Sequence, residues 1–229
     1  MSETLEKLAK AGRISRRDFL LNATALGISL TGATAIWNSA AAATSKKGGH
    51  LTAGVGGANT IDSLDPQSFT DTFMLTVGFS TRDNLMTVAG DNSLEGGLAE
   101  NWEPSKDAAT WAFDLRKGVE FSNGKSLEIE DVIASINLHR GEDSKSGAKG
   151  ILAGIDKITA DGKHKLVFKL KSGDADFPFI LTDYHLNILP SKDGEVDWRS
   201  GAGTGAYILE EFDPGVRAAF RLNPNRWQQ

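Results

Sequence analysis

LAENWEPSKDAATWAFDLRKGVEFSNG, residues 98–124, is the stretch whose reading decides the fold. Trp111, Phe113, Leu115, Val119 and Phe121 are apolar at odd positions, with Ala112, Asp114, Arg116 and Glu120 between them. A period of two over this length predicts a half-buried antiparallel strand, one face on a core and one in water. Asn123-Gly124 then supplies a turn dipeptide that tolerates positive φ. Nothing in the stretch forms a catalytic constellation.

Working outward, residues 127–140 place Ile129, Val132, Ile133 and Ile136 at i, i+3, i+4 and i+7, the spacing of an amphipathic helix. Glu128, Glu130 and Asp131 suit its positive N-terminal end. Residues 140–150 (RGEDSKSGAKG) read as a polar loop, and Ile155, Ile158, Leu166, Phe168 and Leu170 around Asp161-Gly162 as a hairpin. Residues 176–181 read as a short helix and 186–189 as a buried strand. Upstream, 50–56 (HLTAGVG) reads as a first strand followed by the loop Gly57-Ala58-Asn59-Thr60. Phe69, Phe73, Met74, Val77, Leu85 and Met86 give a helical stripe across 67–89, and Asp91-Asn92 a turn. Near the end, 203–209 and 216–222 read as a strand and its return. Strands and helices mixed with hairpins predict an α/β (mixed α+β) arrangement with a mixed sheet.

The first 43 residues read as an export signal rather than as fold. Ser15-Arg16-Arg17-Asp18-Phe19-Leu20 is a paired-arginine element after a polar, net basic segment. The apolar stretch LLNATALGISLTGATAIW follows, and small residues crowd at 39–43. That layout resembles a twin-arginine signal, with Arg16 and Arg17 as its recognition pair and cleavage near Ala43. The stretch approaches the ~20 residues that span a bilayer. Its Gly, Thr and Asn content makes it a poor span, and the alanine run offers a peptidase site. The mature chain would begin at Thr44.

The whole chain has a formal net charge of -5. Residues 1–43 carry five positive and three negative side chains, so removing them leaves a more acidic protein. No basic cluster remains beyond Lys46-Lys47, which argues against nucleic acid as a partner. The chain has no cysteine, so disulfides, thiolate metal sites and cysteine nucleophiles are excluded together.

Catalytic motifs fare poorly. Ser122-Asn123-Gly124-Lys125 fits S-x-x-K, but it spans a hairpin turn, and neither S-D-N nor K-T-G follows. Gly54-Val55-Gly56-Gly57 lacks the third glycine and the helix of a dinucleotide loop, and reads as a loop approaching something closely. His50, His139, His164 and His185 share no metal-ligand spacing. Neither G-x-S-x-G nor H-E-x-x-H occurs. The reading is not an enzyme, with no cofactor and no metal site. Among the tryptophans, Trp102, Trp111 and Trp227 fit core positions better than a ligand platform, and Trp198 has no assigned role.

Leu98-Ala99-Glu100-Asn101-Trp102, the acidic turn at Asp107, the aromatic strand from Thr110 and Leu115-Arg116-Lys117-Gly118-Val119-Glu120-Phe121 follow one another in a family-specific order. Together they resemble the signature of the periplasmic solute-binding proteins of ABC importers, in the peptide, nickel and opine class (extracellular solute-binding protein family 5). Leu64-Asp65-Pro66, Gly203-Thr204-Gly205-Ala206-Tyr207 and Asn223-Pro224-Asn225-Arg226-Trp227 resemble further elements of that class. The resemblance implies a type II-like periplasmic binding protein fold, with flanking helices and an added hairpin subdomain. Members are more than twice as long, so residues 44–229 would be the N-terminal part of lobe one, without the second lobe.

The implied function is substrate-binding component of an ABC transporter. It would be a monomer that captures an oligopeptide or similar small solute in the periplasm, closes on a hinge and delivers it to a membrane permease, after export by the twin-arginine translocase. A non-functional truncated fragment, or an exported enzyme on the same scaffold, are the alternatives. Candidate ligand contacts are Asn59, Thr60, Arg82, Asp83, Tyr184 and His185, in three loops at strand ends facing the family's cleft. Arg82 stands where relatives carry an aromatic residue. Its guanidinium suits either a ligand carboxylate or a neighbouring Asp.

Overall fold

The computed structural model describes residues 2–10, 13–43 and 48–228. It divides into two compact units, residues 1–54 and 55–229.

The first unit is helical: α1 Ser2–Lys10, α2 Arg16–Ala25 and α3 Leu30–Ala43. Ser15 caps α2, its hydroxyl accepting the Asp18 N–H at 3.2 Å. The small residues Ala9, Ala23, Ala33 and Ala40 are buried and let the helices approach closely around Phe19. The Phe19 ring sits 5.4 Å from that of Trp37. Arg16 and Arg17 are exposed in the first turn of α2. Ala43 ends α3, and the expected mature start at Thr44 lies outside the described residues. Among the described residues, no helix is long and apolar enough to cross a membrane.

Residues 50–56, expected as a first strand, enter no ladder, and Leu51 is exposed. A strand exists by its cross-strand hydrogen bonds, and apolar alternation alone does not supply them. The helical stripe expected over 67–89 is shorter: α4 covers Thr72–Thr81 only, capped by the Asp71 carboxylate on the Met74 N–H at 2.9 Å. At Arg82 the backbone turns extended (φ -135°), and Leu85 and Met86 are buried beyond the helix, Met86 as the first residue of β1. β1 (Met86–Val88) and β2 (Leu94–Gly96) form an antiparallel hairpin, whose turn is the expected Asp91-Asn92 with Asn92 at φ 68°.

β3 (Ala99–Pro104), β4 (Thr110–Leu115), β5 (Ile155–Ala160) and β6 (Lys165–Leu170) make a four-stranded sheet in the order β3-β4-β6-β5. Along β4, Trp111, Phe113 and Leu115 are buried and the residues between them half-buried, as the alternation predicts. The register puts Trp111 opposite Phe168 and Phe113 opposite Leu166. The strand stops at Leu115. The chain turns at Lys117-Gly118, and Val119 and Phe121 re-enter the core through the single bridge Glu120–Ser126. Asn123-Gly124 closes that turn, with Gly124 at φ 85°. Every ladder among the described residues is antiparallel, where a mixed sheet was expected. β3 to β4 and β5 to β6 are joined by turns too short for a parallel crossover.

α5 (Ile129–Leu138) covers the sheet with Ile129, Val132 and Ile136. Lacking Ser or Thr at its cap, α5 starts on Asp131 instead. That carboxylate is fully buried and accepts the N–H of Glu128 (2.9 Å), the ammonium of Lys125 (2.6 Å), and the N–H and hydroxyl of Ser191 (2.7 and 2.9 Å). α6 (Phe177–Ile180) is the expected short helix, and it drops Phe177 onto the sheet, 5.0 Å from Phe168. Residues 186–189 are buried as expected but form no strand: the N–H of Ile188 reaches the Asp83 carbonyl and that of Leu189 the Ser135 hydroxyl. β7 (Ser191–Lys192) and β8 (Glu195–Val196) form a small hairpin, and β9 (Tyr207–Asp213) and β10 (Arg217–Leu222) a longer one.

Candidate functional site

Sequence elements far apart in the chain meet at the C-terminal end of α4. There the Gly203-Thr204-Gly205 segment lies backbone against backbone on residues 81–82. The Gly205 N–H donates to the Thr81 carbonyl at 2.9 Å. A Cβ on Gly205 would stand 2.4 Å from the Thr81 carbonyl carbon, and one on Gly203 2.1 Å from the Thr81 oxygen. Glycine is therefore required by contact at both positions.

Between these glycines the Thr204 hydroxyl donates to Asp83 Oδ2 at 2.9 Å, and the Trp227 indole N–H donates to the same oxygen at 2.9 Å. Asn223 Nδ2 donates to the Gly205 carbonyl, and the Arg116 guanidinium lies 4.6 Å over the Trp227 ring. Asp83 is thus engaged on its carboxylate by two side chains and on its carbonyl by Ile188. This interior seam is fastened by polar groups.

Arg82 sits beside it, 2% exposed. Its Nη2 donates to the carbonyl of Leu64 at 2.9 Å and reaches that of Trp198 at 3.4 Å, and its guanidinium lies 5.8 Å from the Phe69 ring. Among the described residues, Nε and Nη1 have no hydrogen-bond partner. Burial lowers its pKa to about 10, opposed by the charges of Asp65 and Asp197, so it stays protonated at neutral pH. Expected at an open strand end, Arg82 lies under the Leu64 and Trp198 backbones, with the two glycines packed on residues 81–82.

Asn59 and Thr60 are exposed on a turn that Asn59 builds itself: its carbonyl accepts the Asp62 N–H, its side chain the Ile61 N–H, and its own N–H reaches Asp62 Oδ2. The β9–β10 turn rests on it, since a Cβ on Gly215 would meet Asn59 and Thr60 backbone at 2.8 Å. A groove of about 280 Å³ lies alongside, lined by Asp62, Ser63, Leu64, Trp198, Arg199 and Phe212. Arg199 stacks on Trp198 at 4.0 Å. A larger depression of about 390 Å³, among Asp114, Lys117, Asp161 and Lys165 at the far end of the sheet, contains none of the expected site residues.

Tyr184 is half-buried and packs on the apolar cluster of Phe69, Met74 and Val77, which also receives Phe212. Its ring lies 4.0 Å from that of His185. His185 is buried, with Nδ1 2.7 Å from Asp183 Oδ1. Burial pushes the Asp183 carboxyl up, but hydrogen bonds from the His185 ring and backbone outweigh it and hold the pKa below the usual range. Phe69 therefore joins two of the three expected loops, lying under Arg82 on one side and beside Tyr184 on the other.

Sequence reading missed His139. It caps α5 at its C-terminal end, buried, with its ring 6.4 Å from that of His185 across 46 residues of chain. Metal-ligand spacing carries no signal for it; the usable one is a histidine in the last turn of the expected 127–140 helix, with a polar loop following. Among the described residues no group of three or more His, Asp or Glu is arranged to hold a metal. Ser122 and Lys125 are both engaged structurally, the serine hydroxyl accepting the Gly203 N–H and the lysine on Asp131.

The family described as bacterial extracellular solute-binding proteins, family 5, matches residues 93–229, well over half of the chain. The chain is 27% identical over 175 residues to the nickel-binding periplasmic protein of Escherichia coli K12, covering 73% of this chain and 33% of that protein. It is 28% identical over 188 residues to the periplasmic oligopeptide-binding protein OppA of Haemophilus influenzae, covering 72% and 35%. Among solved structures, a nickel ABC transporter protein from Bacillus halodurans superposes with a TM-score of 0.62 at 28% identity, over 74% of this chain and 34% of the other. DppA of Helicobacter pylori in complex with the peptide STSA shares the fold, with a TM-score of 0.66 at 24% identity over 76% and 39%. The chain spans about a third of the length of the curated relatives it matches. The signature of residues 98–121, its Gly-Thr-Gly seam and this match agree, and the chain belongs to the family 5 bacterial extracellular solute-binding proteins, with their α/β periplasmic binding protein fold.

Proposed function

We propose that this chain is part of the solute-capturing component of an ABC importer, working in the periplasm as a binding protein rather than an enzyme. The observation that carries the reading is the family match over residues 93–229, which includes Thr204 and Trp227, the two residues that close on Asp83. Oligopeptides are the proposed ligand class, and the partner is an inner-membrane permease. No cofactor enters the proposal.

The proposed ligand-facing residues are the exposed Asn59 and Thr60 and the half-buried Tyr184 with His185 behind it. Arg82 and Asp83 belong to the same region; Arg82 lies beneath its surface, and the half-buried Asp83 is held by Thr204 and Trp227. For a ligand carboxylate to reach the free nitrogens of Arg82, the Leu64 and Trp198 backbones would have to part. Residues 1–43 are proposed as the export signal, read through Arg16 and Arg17 and cleaved near Ala43.

A two-sided clamp gains affinity by burying ligand on both sides and excluding water. Residues 44–229 alone are therefore expected to bind peptides no better than about millimolar, roughly 4 kcal/mol. Calorimetry with a di- to pentapeptide library tests this, and a micromolar hit would show a complete site in these residues. At the level of the cell, disrupting the gene should impair growth on peptides as the sole source of a required amino acid. Unimpaired uptake of every peptide tested would overturn the peptide reading. Replacing Arg16 and Arg17 by lysine should strand the precursor in the cytoplasm, and normal export of that variant would remove the twin-arginine assignment.

A further inference from the structure

The end of α5 holds a buried polar cluster that the ligand-binding reading does not use. The His139 ring is fully buried, and its Nδ1 lies 2.6 Å from the Ser146 hydroxyl. That hydroxyl in turn accepts the Ala148 N–H at 3.1 Å, fixing the first turn of residues 147–149. The Ser146 N–H reaches the Ser144 hydroxyl, which donates to the side-chain oxygen of Gln67 at 3.0 Å. On its other side, the His139 ring meets the His185 ring edge-on at 6.4 Å. His185 is itself wedged: a Cβ on Gly147 would stand 2.9 Å from its Nε2. Segments 144–148 and 183–187 thus meet at one imidazole, and Ser144 ties the first of them on to Gln67.

That imidazole has one free end. Among the described residues, the buried His139 Nε2 makes no hydrogen bond of normal length and angle, with the His185 backbone near the ring. Among the described residues, the titratable groups facing the ring are His185 and Asp183, the latter spent on His185 at 2.7 Å. Arg140, next in the chain, turns away to Asn137 and the Ile155 carbonyl. Lys149 is exposed and donates to the Glu142 carbonyl.

We infer that His139 and His185 form an acid-released latch: the neutral His139 ring pins residues 144–148 and the Tyr184–His185 pair to α5, and taking up a second ring proton expels the ring and loosens both segments. A proton arriving there creates a buried cation beside a second histidine; the Asp183 charge and the His185 backbone favour it, burial outweighs them, and opening the cluster solvates it. Burial first, and the His185 neighbour second, lower the His139 pKa to about 4, against an ordinary value near 6.5. A histidine depressed in the folded state contributes its stability fully above pH 6.5 and loses it as pH falls toward 4. On the proposed reading of Tyr184 and His185 as ligand-facing, acid would release ligand. The latch itself does not depend on that reading.

The test uses amide exchange on the whole 229-residue chain between pH 7.5 and 4.5, corrected for intrinsic rates. Opening of 141–150 and 183–187 should rise about tenfold per pH unit below ~6.5, while the β4 and β6 amides stay protected. His139→Asn places an amide where Nδ1 was and cannot titrate, so its opening should be flat with pH. A flat wild-type profile, or an unchanged slope in His139→Asn, would overturn the latch. Should that variant fail to fold, imidazole NMR of the wild type decides: His139 should stay neutral through pH 5, and ordinary titration near 6.5 would overturn the inference. Peptide calorimetry at pH 7.5 and 5 separates the two readings. A latch that opens without any peptide binding at either pH leaves the inference standing and removes the ligand assignment.

Discussion

The aromatic sheet and the glycine-fastened seam solve the same problem, a stable interior, by opposite means. Across β4 and β6 the contacts are apolar and interlocking, with Phe113 and Phe168 edge-to-face at 5.5 Å and Phe177 closing the triangle. At the seam, the backbone of 203–205 touches the backbone of 81–82, and cohesion comes from one carboxylate shared by Thr204 and Trp227. The sheet tolerates exchanges of similar volume. The seam tolerates almost none, because no flexible side chain stands between its two backbones.

Substitutions can break that contrast in graded steps. Phe113→Ala should cost the most, about 3–5 kcal/mol in chemical denaturation, because it removes a fully buried ring and leaves a cavity among three others. Phe113→Leu should cost less than half of that, and equal costs would show that the sheet depends on ring geometry rather than on volume. At the seam, Gly205→Ala should cost about 3 kcal/mol, the upper range for overpacking, whereas Gly150→Ala, with open space around its Cβ, should be neutral within error. A tolerated Gly205→Ala would mean the two backbones can separate. Asp83→Ala should cost about 2 kcal/mol, leaving the indole N–H and the Thr204 hydroxyl without an acceptor. Trp227→Phe should cost about 1 kcal/mol, since the ring remains for Arg116 to stack on. At the small end, breaking the fully exposed Arg217–Glu211 pair on the β9–β10 hairpin by Glu211→Gln should leave the denaturation midpoint unchanged.

How legible each region was follows from the same contrast. Apolar alternation in β4 and β6 and the i, i+3, i+4 spacing of α5 are statements about neighbouring residues, so sequence alone placed Phe113, Phe168, Val132 and Ile136 inside. The same reasoning overran at Val119, where alternation continues through a turn, and at Leu85, which is buried beyond the helix it was assigned to. It failed at 50–56, where apolar residues alternate without a ladder. At the candidate site, the Gly-Thr-Gly motif was visible as a pattern, but its reason lies 121 residues upstream in Asp83. Burial of Arg82 by the Leu64 and Trp198 backbones, and the meeting of His139 with His185, are long-range facts with no local trace in composition or period.

The shared carboxylate of Asp83 also has a kinetic meaning. Its bond to Trp227 ties residues 144 positions apart, whereas the β5–β6 and β9–β10 hairpins close within a few residues of their turns. Loop-closure entropy grows with the length enclosed, so long-range contacts are the slow ones to acquire. The sheet should form first and the Asp83 clasp last. Substitutions at Thr204, Trp227 or Asp83 would then leave the folding rate almost untouched and accelerate unfolding, while those at Phe113 would slow folding. The seam would act as a bolt on the native state, determining how long the domain stays shut once it has closed.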